Sequence, residues 1–356
     1  MEILKLNELV EKLSPEDKKL FNNIFKMSKG TGELAIPPEM HDWIKPRFGE
    51  ISTVEKQDIL QVVNNITHEG ALFNHLRSKR PIEAKTDENE EKTLQETKGC
   101  AFCDPLKLTP ADTFGRVKGK HCITASNIAK YDGLHGLVIF DEHYPFVFEA
   151  ERINDYLSTA QEWLKQAHKS YNEAIFPFIM WNCTWRAGAS VIHGHMQTLL
   201  SETPYPKIEA LNTNANNYFK KYNSNYWQDL FHIHNVLGLG IQPKSGINVM
   251  SYLTPVKEKE LLINTPNLDS NLGLTLASLL KCYYTIGVRA FNLVIMMKPL
   301  ESTNNPEWDE FPVTIRLVDR GNLKNKTTDI GAMELYACSV IETDPFKTIE
   351  SLKQYI

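Results

Sequence analysis

Apolar residues recur at helical spacing between residues 152 and 174: Ile153, Tyr156, Leu157, Ala160, Trp163, Leu164, Ala167 and Tyr171. Such a stripe predicts an amphipathic helix laid on a core. Before it, short apolar runs at 113–117, 122–125 and 137–140 sit between turn-forming residues and predict strands. After it come an apolar run at 176–181, a Gly-containing loop, and a further run ending in Leu199-Leu200. The second half repeats the plan, with strands at 247–253, 291–297 and 313–318 and a helix over 271–289. Strand, helix, strand, loop, strand thus occurs twice. That pattern predicts an α+β fold with two related half-domains.

The first seventy residues read differently. Ser14-Pro15-Glu16-Asp17 is an N-cap, a Pro at the first helical position and acids in the first turn. Ser52 or Thr53, with Glu55, starts a second predicted helix running toward Asn65. Residues 1–70 are therefore expected to form a helical extension, broken around 30–46 by Gly and Pro. Residues 83–98 are rich in Glu, Lys and Thr and read as a solvated loop.

Bulk properties narrow the partners. The chain has 356 residues, 42% hydrophobic, enough for a sizeable core. A net charge of −5 gives no broad basic surface for nucleic acid. No apolar run of about 18 residues predicts a membrane span. The N-terminal residues lack the pattern of a signal peptide, and six cysteines are too sparse for a disulfide scaffold. Cytoplasmic residence is the expectation.

The chemistry concentrates in one segment, Trp181 to Gln197. Its end, His193-Gly194-His195-Met196-Gln197, places polar side chains at i, i+2 and i+4, which share one face of an extended strand. Imidazole can serve as nucleophile, base or metal ligand. The loop before it contains Gly188-Ala189, whose N–H groups could approach an anion. Cys100-Ala101-Phe102-Cys103 is a Cys-x-x-Cys pair, a spacing that serves zinc or redox chemistry. With no second such pair, further metal ligands would be histidines, and His143 and His193 are the candidates. The remaining cysteines, Cys122, Cys183, Cys282 and Cys338, lie in apolar surroundings and read as core. His232-Ile233-His234 lacks the loop and the Gln and reads as structural.

These residues resemble the histidine-triad (HIT) superfamily in its nucleotidyltransferase branch, where His-x-His-x-Gln follows a Gly/Ser-bearing loop. The family matched is galactose-1-phosphate uridylyltransferase; nucleotide-sugar phosphorylases and diadenosine tetraphosphate phosphorylase are its relatives. The resemblance implies a HIT-like α+β fold of two half-domains with antiparallel sheets and packed helices. It divides the chain into a helical extension (1–70), a catalytic half-domain (71–222) and a second half-domain (223–356). It implies Zn2+ held by Cys100, Cys103, His143 and His193. It makes His195 the nucleophile and Gln197 a hydrogen-bond donor to phosphate. Arg77-Ser78-Lys79-Arg80-Pro81 resembles a family segment whose arginines contact substrate phosphates, so Arg77 and Arg80 are assigned to that role. Asn182 and Ser190 match an Asn that holds the catalytic loop and a Ser that contacts phosphate. Asn127 matches a residue near the nucleoside, and Arg186 is a further candidate for phosphate.

The resemblance breaks at two places. The family's sugar-contacting segment reads like Val-Gly-Tyr-Glu-Met-Leu, whereas this chain has Ile330-Gly331-Ala332-Met333-Glu334-Leu335. The strand Phe311-Pro312-Val313-Thr314-Ile315-Arg316 carries no histidine where some relatives have a second metal site. The resemblance implies nucleotidyl transfer from a nucleoside-diphosphate sugar to a sugar 1-phosphate, in a homodimer. The alternative is a phosphorylase using inorganic phosphate on a nucleotide sugar or a dinucleoside polyphosphate. A nucleotide-binding regulator would not need the nucleophile, and a trapped nucleotidyl-enzyme separates the classes.

Overall fold

The protein is described by a computed structural model covering residues 2–82, 90–301 and 305–356. Four strands belong to a small sheet: β1 (Phe25–Glu33), β2 (Lys56–Asn64) and β3 (Gly70–Phe73), joined later by β13 (Ser339–Ile341). The rest form one nine-stranded sheet: β4 (Cys122–Ser126), β5 (Leu134–Phe140), β6 (Phe176–Cys183), β7 (His195–Ser201), β8 (Gly240–Lys244), β9 (Ile247–Ser251), β10 (Glu258–Thr265), β11 (Phe291–Met296) and β12 (Val313–Asp319). Their order is β4-β5-β7-β6-β11-β12-β10-β9-β8, and every neighbouring pair is antiparallel.

That order shows the repeat. β4-β5-β7-β6 and β9-β10-β12-β11 have the same topology, each with a helix between its second and third strands in sequence. The halves meet at β6 and β11, where Asn182 faces Asn292. The helices are Ala150–Ser170 and Ser270–Thr285. Ile153, Tyr156, Leu157, Ala160, Trp163, Leu164 and Ala167 are all buried, as the stripe predicts, while Tyr171 lies past the helix end and is exposed. Trp163 rests on Gly136 and Phe140 stacks flat on Tyr156 at 3.7 Å, so even-numbered β5 residues face this helix. The second helix crosses the first at Gly273, where a Cβ would meet the Asn154 side chain. Odd-numbered residues of β5 and β7 point to the other face, and the candidate site is built there. Among the described residues no helix is long and apolar enough to cross a membrane.

Several expectations are corrected. The extension has the Pro15–Ile24 helix, with Ser14 Oγ accepting the Asp17 N–H at 3.0 Å. It is not wholly helical, because β1 and β2 form a long antiparallel ribbon. β1 is exposed along most of its length, so no apolar alternation marks it. The second predicted helix stops at Glu55 and continues as β2. Residues 113–117 are not a strand. Arg116 there donates to the Thr124, Thr109 and Pro105 carbonyls, and Val117 N–H bonds the Thr124 hydroxyl. In the polar 83–98 stretch, Glu90–Glu96 is helical; 83–89 lie outside the described residues. The predicted 271–289 helix ends at Thr285, where Ile286 caps it and Gly287 turns with φ 91°.

Candidate active site

β7 is interior to the sheet and buried at every residue. His195 pairs with Ile139 and Gln197 with Leu137, so both side chains lie on the face away from the helices. His193 precedes the strand and sits in the loop. Gly194 between them is sterically required: a Cβ there would come within 2.6 Å of the Phe140 ring. His195 Nδ1 donates to the His193 carbonyl oxygen at 2.8 Å, which fixes the tautomer and leaves a lone pair on Nε2. Burial lowers the His195 pKa to about 4, so the ring is neutral near pH 7.

Cys100, Cys103, His143 and His193 converge into a cluster that can hold a metal ion. Tetrahedral bonds of ~2.3 Å to sulfur and ~2.05 Å to nitrogen require edges of about 3.8 Å (S···S), 3.6 Å (S···N) and 3.3 Å (N···N). The sulfurs are 3.9 Å apart, the two Nδ1 atoms 3.2 Å apart, and the four S···N edges run from 3.4 to 3.9 Å. A disulfide would require about 2.05 Å. Each histidine turns Nδ1 inward and anchors Nε2 outside the cluster. His193 Nε2 donates to the Phe140 carbonyl at 2.8 Å; His143 Nε2 lies 3.2 Å from the Leu94 carbonyl and 3.1 Å from the Thr97 hydroxyl. Outer partners of this kind fix ligand tautomers in metal sites. The Leu94 and Thr97 contacts come from the stretch read as a solvated loop. Burial, then the neighbouring Cys103, raise the Cys100 pKa.

Three residues around the histidines and the loop before them were not legible in the sequence. Phe102, between the cysteines, sits edge-on to His195 at 5.1 Å and packs on Ala125, Leu137 and Ile139. His135 is fully buried, with Nε2 2.9 Å from Gln197 Oε1. As a single His in an apolar strand without a motif, it gave no signal. Asn292 bridges to the loop before β7: its Nδ2 donates to Asn182 Oδ1 at 2.7 Å and to the Ala187 carbonyl at 2.8 Å. Asn182 therefore does adjoin the loop. Asn127 is half-buried beside His135, with Nδ2 3.2 Å from that ring's Nε2.

The loop itself is strained. Thr184 is buried with φ 68°, a conformation that costs a non-glycine residue about 1–3 kcal/mol, and its hydroxyl donates to the Arg289 carbonyl at 3.0 Å. Gly188 takes φ 92°. The expectation that Gly188 and Ala189 N–H groups face an anion is corrected. They donate within the loop, to the Trp185 and Thr184 carbonyls. Ser190 is exposed just beyond them. Arg186 is committed to structure, donating to the Arg320, Asn325 and Thr327 carbonyls.

Arg77 is half-buried and Arg80 exposed, at the end of a groove lined by Trp43, Ile44 and Phe48 of the extension. Among the described residues no hydrogen bond or ion pair joins either arginine to His195, Gln197, Asn182 or Ser190. Glu334 accepts the Gly331 N–H at 2.8 Å, capping the Ala332–Tyr336 helix. His234 is buried, donating to the Leu230 carbonyl and accepting the Leu253 N–H, and His232 pairs with Asp17. Both fit a structural reading. Cys122, Cys183 and Cys282 are buried, whereas Cys338 is half-buried.

No protein-family model matches the sequence. No curated protein sequence matches it either. Solved structures do match. An ADP-glucose phosphorylase from Arabidopsis thaliana with bound ADP-glucose superposes with a TM-score of 0.62 at 14% identity, over 82% of this chain and 97% of that one. A GalT-like protein from Arabidopsis thaliana gives 0.61 at 15% identity, over 82% and 97%. A uridylyltransferase gives 0.56 at 12% identity, again over 82% and 97%. Across most of its length, therefore, this chain shares the α+β fold of these three solved structures.

Proposed function

We propose that the protein is a nucleotidyltransferase that works through a covalent nucleotidyl-histidine on His195. The observation that carries this is the His195 tautomer: Nδ1 is tied to the His193 carbonyl, which leaves the lone pair on Nε2, on the sheet face away from the helices. Nε2 attacks the α-phosphorus of a nucleoside-diphosphate sugar. The P–N bond forms as the P–O bond to the sugar 1-phosphate breaks, and that bonding pair leaves with the sugar 1-phosphate. An acceptor phosphate oxygen then displaces His195 and takes the nucleotidyl group. Gln197 donates an amide N–H to the phosphate but has no proton to deliver. Phosphate leaving groups and acceptors need none, which favours transfer over hydrolysis. Ser190 is assigned to the phosphate and Asn182 to holding the loop. Asn127 and Phe102 are assigned to the nucleoside side.

Zn2+ is the metal proposed for Cys100, Cys103, His143 and His193, on the match of the four donors to its tetrahedral edges. With all four positions filled by protein, its contribution is structural, holding His193 and thereby the carbonyl that orients His195. Arg77 and Arg80 are proposed to bind the anionic part of the second substrate. The homodimer expected from the resemblance offers a route for them to serve a partner's site. Within this reading the acceptor is a sugar 1-phosphate or inorganic phosphate. The Glu334 carboxylate caps its own helix and Ala332 has no hydroxyl to offer a sugar, so the sugar contacts differ from those the resemblance implies. The test is a panel of labelled nucleotide sugars and dinucleoside polyphosphates, followed for label on the protein and for its discharge by phosphate or hexose 1-phosphates. Retained label and full turnover in His195→Ala would exclude the mechanism.

A further inference from the structure

In the transfer reading, Gln197 must turn its N–H2 group, not its carbonyl, toward the substrate phosphate. An amide side chain has nearly the same shape either way round, so a neighbour has to choose. The backbone N–H of Tyr131 points at His135 Nδ1 at 3.0 Å. A backbone N–H cannot be reversed, so Nδ1 carries the lone pair and the neutral ring carries its proton on Nε2. Burial, the largest influence on this ring, favours the neutral form. Nε2 then needs an acceptor, and Gln197 Oε1 lies 2.9 Å away. Asn127 offers no acceptor: its Oδ1 is held by the Ala129 N–H at 3.0 Å, and the group 3.2 Å from Nε2 is its amide nitrogen, so Gln197 Oε1 is the acceptor there. The Tyr131 ring stacks over His135 at 4.8 Å and holds its plane.

We propose that His135 is a positioning residue for the transfer step: it passes the fixed direction of the Tyr131 N–H to Gln197 and turns the Gln197 N–H2 toward the phosphate. This rests on the nucleotidyl-transfer reading and adds a residue outside the His-x-His-x-Gln segment. His135→Phe keeps a ring but removes the donor, leaving Gln197 free to present either end. His135→Gln can accept from Tyr131 and donate to Gln197, and is expected to restore function.

The experiment measures single-turnover labelling of His195 with whichever nucleotide donor labels the wild type. Donor Kd and thermal melting are recorded beside it. Gln197→Ala is expected to slow labelling by about 10²–10³-fold. His135→Phe should slow it about tenfold or more, with donor Kd changed less than about twofold, because only the transition state draws fully on the donor. His135→Gln should recover most of the rate. In a Gln197→Ala background, His135→Phe should add less than about twofold, since its effect runs through Gln197. If His135→Phe does not fold, His135→Asn, too short to span both contacts, carries the same expectations. An unchanged rate in His135→Phe, or an equal loss with and without Gln197, overturns the role. A wild type that no donor labels overturns the transfer reading itself, before any variant is compared.

Discussion

Gly194→Ala is the substitution whose cost the structure sets most directly. The added Cβ would lie 2.6 Å from Phe140 Cδ2. Ordinary carbon contacts begin near 3.5 Å, so about 1 Å of displacement is needed. The Phe140 ring has little room to move: it lies flat on Tyr156 at 3.7 Å and meets Trp181 edge-on at 5.1 Å. The strain therefore falls on the loop, held to Phe140 by two hydrogen bonds. Phe140 N–H donates to the Gly194 carbonyl at 3.0 Å, and His193 Nε2 donates to the Phe140 carbonyl at 2.8 Å. Overpacking of this kind costs about 1–3 kcal/mol. A 1 Å shift also misplaces His195, and misplacement on that scale can cost about 10²-fold in rate. Urea unfolding would read the stability loss, metal analysis the state of His193, and single-turnover labelling the rate. Wild-type stability and rate together in Gly194→Ala would refute the packing argument and the rigidity assigned to the loop.

Three further expectations follow from the same packing and charge. Cys103→Ser, or a strong chelator, should remove the metal and lower the melting temperature together, because metal binding is coupled to folding; unchanged melting with no metal detected in the wild type would remove the site. Arg316 lies between Glu69 and Glu260, so Arg316→Met strands two partly or fully buried carboxylates and should destabilise by about 3–5 kcal/mol in urea, with a loss below 1 kcal/mol contradicting it. His234 is held near pKa 4 by burial, below its ordinary 6.5; the unfolded chain then takes up the proton first, and stability falls as pH drops from 6.5 toward 4, by about 1.4 kcal/mol per unit. Urea titrations should give a shallower slope over that window in His234→Gln, and identical slopes would refute it.

The sequence was most informative where pattern and chemistry coincide. The Ile153 to Ala167 stripe is the helix face on the sheet, and the Cys-x-x-Cys, His143 and His193 spacing closes into one cluster. Topology was partly legible, because the two strand–helix–strand units share an order. In the extension only the Ser14-capped helix was legible. β1 carries Lys26, Ser28, Lys29 and Thr31 on a solvent-facing ribbon, held by its ladder to β2 rather than by burial. His135 was hidden because its role comes from cross-strand register: Gly136 faces Thr198 and Leu137 faces Gln197, which brings residues 62 apart in sequence within hydrogen-bond reach. The loop N–H groups misled because Gly188 serves a turn, with its donor spent on Trp185. Arg77 and Arg80 keep their sequence assignment only as a proposal, since within one chain they lie at the extension groove rather than in hydrogen-bond contact with His195.

Covalent nucleotidylation of His195 Nε2 is the step on which the proposed function depends. The most direct measurement is intact-protein and peptide mass spectrometry after quenching with a nucleotide-sugar panel under mildly alkaline conditions, which preserve phosphoramidates. A mass increase of one nucleotidyl group (a nucleoside monophosphate less water) is expected, mapped to the peptide containing His195, absent in His195→Ala, and discharged by phosphate or a sugar 1-phosphate. Turnover without any such adduct on a quenched time course, or an adduct that persists in His195→Ala, would contradict it.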